Sequence, residues 1–148
     1  MGTLLVNSIF GTVLFDSGAS HSFMSEAFEL AHNFTLENMN PPMVVRTPIG
    51  QCRTSNLVPN STVEVEGIIF LVSPIILKSS TIDLILGMDW LKVHDAALYC
   101  GTKSVQLFHP SGEIVNHTTH LSQDAEAQIY ALNTLNASPL EGIEHVSS

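Results

Sequence analysis

Thr12-Val13-Leu14-Phe15-Asp16-Ser17-Gly18-Ala19-Ser20-His21-Ser22 is the stretch on which the reading of this chain turns. Thr12 to Phe15 is a short apolar run that reads as a strand, and Phe23 to Phe28 reads as the start of a helix. Asp16 therefore stands at the end of a buried strand, where an ionised carboxylate costs several kcal/mol unless hydrogen bonds or a partner offset it. Gly18 removes a Cβ and lets the backbone turn tightly beside the acid. A carboxylate held rigidly, with its pKa set by burial, is what activation of a water molecule requires. As a bare tripeptide, Asp-Ser-Gly is also compatible with an ordinary turn.

A second segment bears on the choice. Ile82-Asp83-Leu84-Ile85-Leu86-Gly87-Met88-Asp89-Trp90-Leu91 is an apolar strand that ends in glycine and runs into a short helix. Together with Phe15 to Phe23 it resembles the retropepsin-type aspartic proteases, in particular those of plant Ty3/gypsy long-terminal-repeat retrotransposons. The resemblance covers roughly residues 3 to 110 and includes the order and spacing of the two motifs. It implies that Ile85-Leu86-Gly87 packs beneath the Asp-Ser-Gly loop. It also implies an all-β domain with short helices, a retropepsin-like closed β-barrel that carries half of an active site.

Aspartic protease chemistry uses two carboxylates about 3 Å apart that share one proton. Among the five Asp residues only Asp16 has the following hydroxyl and glycine; Asp83, Asp89, Asp95 and Asp124 lack them. One half-site per chain makes a homodimer a chemical requirement, since a twofold contact brings Asp16 to its own copy. The resemblance assigns the other roles. Ser17 hydrogen-bonds across the dimer axis, and Gly18 offers its carbonyl to the substrate. Ala19, the hairpin tip Pro48-Ile49-Gly50 and Ile85 contact the bound peptide, the tip as a flap that excludes water. The substrate is a polypeptide, most simply the polyprotein from which the enzyme is cut, held as an added β-strand. Retroviral members carry an acid two residues after the loop glycine and an Arg after the later one. Here Ser20 and Met88 stand there, which implies a differently built interface or substrate clamp. Asp89 reads as an N-cap of the Trp90-Leu91-Lys92 helix.

Composition fits one domain of this kind. The 148 residues are 45% hydrophobic and only 13% charged, enough to bury a sizeable core. The net charge of −9 leaves no basic patch for phosphates, so direct nucleic-acid binding and an anionic membrane surface are disfavoured. No apolar run approaches a membrane span, and no signal peptide is visible. Cys52 and Cys100 lack metal-ligand spacing and read as free thiols in a reducing compartment. The expected location is cytoplasmic, in a retrotransposon particle. No metal and no cofactor is expected: His117 and His120, three apart, have no third ligand nearby. A Ser20-His21-Asp16 triad is rejected because neighbouring side chains at a strand end diverge and no nucleophile elbow is present.

The remaining elements follow from turn signals. Phe10-Gly11 reads as the turn of a first hairpin, and Thr47 to Gln51 as the tip of a second, between Met43–Arg46 and Arg53–Val58. Ser25 to Asn33 reads as a helix. Thr62 to Glu66 alternates, Gly67 turns, and Ile68 to Val72 is apolar on both faces as a central strand would be. Leu98–Cys100 and Ser104–Phe108 form a closing hairpin. The protease domain is expected over 1–115, and 116–148 as a connector, weakly helical or disordered, with polar linker from Asn136. The rival reading is a catalytically silent retropepsin-like module for dimerisation or peptide binding.

Overall fold

A computed structural model describes residues 2–47, 50–78, 80–99, 101–118 and 136–139. The chain starts with β1 (Gly2–Val6) and β2 (Ile9–Phe15), an antiparallel hairpin. Its turn is Asn7-Ser8, both left-handed at φ 51° and 66°, which matches the twist of the flanking strands. Asn7 is tied to Thr62, donating its N–H to the Thr62 carbonyl and accepting the Thr62 N–H on Oδ1 at 2.8 Å. Phe10-Gly11 is thus not a turn but part of β2. Gly11 has another use, since a Cβ there would lie 3.1 Å from the Phe28 ring.

After the loop 16–22 the chain forms β3 (Phe23–Ser25) and then α1 (Glu26–His32). Phe23 to Ser25 is therefore strand, not helix. Ser25 caps α1 by accepting the Phe28 N–H, and left-handed Asn33 closes it. β4 (Glu37–Thr47) and β5 (Gly50–Leu57) make the second hairpin where the sequence placed it. Its register slips between Asn38 and Met43, where Pro41 and Pro42 supply no N–H to the ladder.

β6 (Ser61–Val65) and β7 (Ile68–Val72) join through Glu66-Gly67, both at positive φ. β8 (Ile75–Leu77) and β9 (Leu84–Leu86) follow, then α2 (Met88–Val93). A separate three-stranded sheet contains β10 (Ala97–Tyr99), β11 (Ser104–Phe108) and β12 (Ile114–Thr118). Last comes β13 (Asn136–Pro139).

The main sheet has ten strands in the order β13-β4-β5-β8-β3-β9-β2-β1-β6-β7. It is open, ending at β13 and β7, so among the described residues the expected closed barrel is not formed. β7 is an edge strand, not a central one: Ile69 and Leu71 are 55% and 62% exposed. β12 crosses the boundary expected after residue 115, because Asn116 and His117 pair with Gln106 and Val105. Asn136–Pro139, expected as linker, is a strand on β4. The rest of the expected weak helix, 119–135, and the end, 140–148, lie outside the described residues.

Two apolar clusters hold the sheet. The larger gathers Val6, Val13, Met24, Phe70, Trp90 and Leu107 with β6, β11 and β12 residues. The smaller contains Leu14, Ala19, Phe23, Val45, Ile75, Leu77, Ile82 and Ile85. β9 belongs to both, giving Leu84 and Leu86 to the first and Ile85 to the second, because alternate side chains leave a strand on opposite faces. No helix among the described residues is long and apolar enough to cross a membrane.

Candidate active site

The site is built where β2 runs out. β2 and β9 are parallel, with Leu14 opposite Ile85 and Phe15 opposite Leu86, and the ladder is extended by the Asp16 N–H donating to the Leu86 carbonyl at 2.9 Å. The chain then arches over the end of β9 and returns on its other side as β3, with Phe23 opposite Ile85. Gly87 sits directly under this arch. A Cβ on it would lie 2.1 Å from the His21 carbonyl oxygen and 2.8 Å from that of Ala19, so only glycine fits.

Three bonds fasten the arch to the start of α2. The Met88 N–H donates to the Ala19 carbonyl at 2.8 Å. The Gly87 N–H donates to Ser22 Oγ at 3.0 Å, and the Ser22 hydroxyl donates to Asp89 Oδ1 at 2.8 Å. Asp89 also accepts the Trp90 N–H at 2.7 Å, but it lies inside the first turn of α2, whose N-cap is Gly87. Asp89 is thus a tie between loop and helix, not a cap and not a second acid in the loop. Asp83 is structural as well, exchanging hydrogen bonds with Thr12.

Within the arch Asp16 is only 2% exposed. Its Oδ1 accepts the Gly18 N–H at 2.8 Å, and its carbonyl accepts the Ala19 N–H at 3.2 Å. Oδ2 is buried and has no partner, the single such side-chain atom among the described residues. Leaving a buried acceptor unsatisfied costs about 1–3 kcal/mol, more for a charged group. Burial pushes the Asp16 carboxyl above its ordinary 3.8, and the Gly18 N–H works in the opposite direction.

Around the acid, Ser17 is exposed, Gly18 half-buried and Ala19 fully buried. Ile85 is fully buried against Leu14, Ala19, Phe23 and Val45, so it backs the arch from beneath. Val45 of β4 shares this cluster and couples the second hairpin to the floor of the site. Gly50 stands opposite Thr47 at the hairpin end, with φ 145°, while Pro48 and Ile49 lie outside the described residues. Beside Ser17 a groove of about 460 Å³ runs between α2 and β10, lined by Met88, Leu91, Lys92 and Leu98 among others.

Other candidates resolve differently. Ser20 Oγ and His21 Nδ1 do meet, at 2.9 Å, although adjacent side chains were expected to diverge. Asp16 bonds to Gly18 instead of completing a triad. His117 pairs with Glu66 at 2.7 Å, and His120 is outside the described residues, as is Cys100. Cys52 is a free thiol. Among the described residues no three His, Cys, Asp or Glu side chains gather as metal ligands. Ser22 is the functional residue that the sequence reading missed. It lies in the quoted stretch, yet its partners are 65 and 67 residues away and leave no local mark.

In structure the chain is similar to the retroviral protease-like domain of Ddi1 from Leishmania major. The TM-score is 0.61 at 16% identity, covering 82% of this chain and 94% of that one, a likeness of fold. No curated protein sequence matches the chain. The family model described as retroviral aspartyl protease matches residues 1–113, a span that takes in the arch, Gly87 and the whole of the second hairpin. With a buried, half-unpaired aspartate held over a glycine at the crossing of β2, β9 and β3, this chain belongs to the retroviral aspartyl protease family.

Proposed function

We propose that the chain is one half of a homodimeric aspartic endopeptidase whose catalytic dyad is Asp16 from two copies. The observation that carries this reading is the buried Oδ2 of Asp16, which has no partner among the described residues. A second Asp16 approaching along a twofold axis supplies one, as a shared proton between the two carboxyls. Burial already favours keeping one of them protonated.

The chemistry then follows. The ionised carboxylate takes a proton from a water held between the pair while the water oxygen adds to the scissile carbonyl carbon. The protonated partner donates to the carbonyl oxygen and stabilises the developing charge. Collapse of the tetrahedral adduct breaks the C–N bond, and a carboxyl proton leaves with the amine. Exposed Ser17 is the group that bonds across the axis. The adjacent groove, with Met88, Leu91 and Leu98 along it, gives a second copy an apolar seat. Gly18 presents its backbone to the peptide, the β4–β5 hairpin with Pro48, Ile49 and Gly50 covers it, and Ala19 with Ile85 supports the apolar floor. A retrotransposon polyprotein, assembled in the cytoplasm, is the proposed substrate, and assembly side by side would raise the local concentration that a weak dimer needs.

The test is digestion of a mixed peptide library between about pH 4 and 7, a range whose acidic end leaves one carboxyl of a pair its proton. Asp16→Asn and sedimentation run alongside. Pepstatin-sensitive cuts between apolar residues, fastest on the acidic side and reduced at least 10³-fold in Asp16→Asn, are the expected result. A stable dimer that cuts nothing would replace this reading with the silent peptide-binding module.

A further inference from the structure

β13 is not accounted for by the half-site. It pairs antiparallel with β4, Asn136 opposite Arg46, Ala137 opposite Val45, Ser138 opposite Val44 and Pro139 opposite Met43. It is also the last strand on that side of the sheet. The β4 residues it faces are not remote from the site. Val45 is fully buried in the cluster that holds Ala19 and Ile85, and Met43 packs against the same cluster. The occupied stretch ends one residue before Thr47, where the hairpin turns.

We propose that Asn136–Pro139 is an occluding strand that fills, in cis, a peptide-docking edge of β4, so that an extended peptide gains this edge only by displacing it. Backbone pairing along an edge is the least sequence-selective way to hold a peptide, so one strand can replace another there. Four residues make a short ladder, and Pro139 contributes no N–H to it. The ladder is therefore weak enough to exchange. It persists because the strand is covalently attached, and tethering gives it a local concentration against which a free peptide must compete. The edge is a property of the fold. That the displacing peptide is a substrate rests on the protease reading above.

The experiment uses the full chain and the double variant Ala137→Pro/Ser138→Pro, which removes the N–H donors at two successive positions of β13. Hydrogen exchange reads the β4 amides from Met43 to Arg46, and fluorescence anisotropy reads binding of a labelled peptide comprising residues 133–142. Exchange at β4 is expected to accelerate about tenfold or more, and the peptide to bind the variant at least about tenfold more tightly than the wild type. Ala137→Gly/Ser138→Gly, which keeps the donors but weakens the strand, should fall between them. Unchanged exchange would overturn the pairing, and equal peptide binding would overturn the occlusion. Neither readout depends on catalysis, so a chain that cuts nothing refutes the protease and leaves this proposal to be judged on its own. If cleavage is found, KM should fall by a similar factor with kcat unchanged. An unaltered KM beside tighter peptide binding would show that the edge does not serve the site, against the proposal.

Discussion

The two ends of the ten-stranded sheet face the same physical problem, a row of unpaired backbone groups, and finish it by different means. At β7 the outward carbonyls are taken by side chains. Leu71 accepts from Trp90 Nε1 at 3.0 Å, and Ile69 bonds to His109 Nε2 at 2.9 Å. The Ser111 N–H donates to His109 Nδ1, which leaves the proton on Nε2. Trp90 is only 4% exposed and packs on Phe70 and His94, so its indole cannot swing aside. At the other end β4 is covered by backbone alone, through the four residues of β13, which then becomes the edge strand itself. Side-chain cover is fixed to this sequence, whereas backbone cover can be exchanged for any extended chain. The locked end stands on the larger apolar cluster and the exchangeable end on the smaller one. Asp16 sits at the seam, where β9 feeds both.

The largest expected effect breaks the locked end. Trp90→Ala removes an anchor of the larger cluster together with the donor to Leu71, and should cost about 3–5 kcal/mol in urea denaturation. Val45→Ala at the other end should cost about 1.5–3 kcal/mol. It should also speed hydrogen exchange in β4 and β5 well before β1, β6 and β7, because local opening follows local packing. If Val45→Ala instead loosens both ends equally, the sheet is one cooperative unit and the contrast fails. Gly87→Ala strikes the seam. With a Cβ 2.1 Å from the His21 oxygen the backbone of the arch must shift, at about 1–3 kcal/mol. Any peptide cleavage should then fall further than the stability loss explains, since the carboxylates are no longer held in register. Activity that survives intact would mean that the arch can move without disturbing Asp16.

Where each residue's own surroundings decide its role, the sequence was readable. The strand-end position of Asp16, the helix between Ser25 and Asn33 and the turn at Gly67 all rest on propensities within a few residues. Asn7-Ser8 was readable in principle, since Asn tolerates the left-handed region, but Phe10-Gly11 competed with it. Gly11 is there for the Phe28 ring, which lies far along the chain. Ile68 to Val72 reads as a central strand because apolar content says nothing about which neighbours a strand will have. The exposure of Ile69 and Leu71 follows only from β7 being last. Three-residue β3 is too short to show a period, and polar Asn136–Pro139 carries no strand signal of its own. Within the site, the acid and the glycine beneath it were legible as motifs. The Ser22 tie was not, for it exists only once β9 has been drawn between β2 and β3.

The subtlest contrast is in pH, because one buried titratable group lies at the seam and another at the locked end. Burial pushes the Asp16 carboxyl above 3.8, so the folded chain prefers it protonated. That contribution is fully present below 3.8 and is lost as the pH rises through the folded value. His94 has the opposite sign. It is 5% exposed and edge-on to Phe70, and burial pushes it below 6.5. The Phe108 carbonyl at Nδ1 opposes that shift, while His109 adds to it. Its neutral form is what the fold prefers, so stability is full above 6.5 and falls as the pH drops through the lowered value. Melting temperature against pH separates the two. Asp16→Asn should melt above wild type at neutral pH, with the gap closing below about 3.8. His94→Asn should gain nothing above 6.5 and lose less than wild type on acidification. The His94 contribution at the locked end is thus lost on acidification, while the site itself favours acid. His94 therefore opposes, in stability, the acidic conditions that the Asp16 carboxyl favours. If His94→Asn leaves the acid slope unchanged, the acid loss belongs elsewhere and the locked end and the seam do not differ in how they answer to protons.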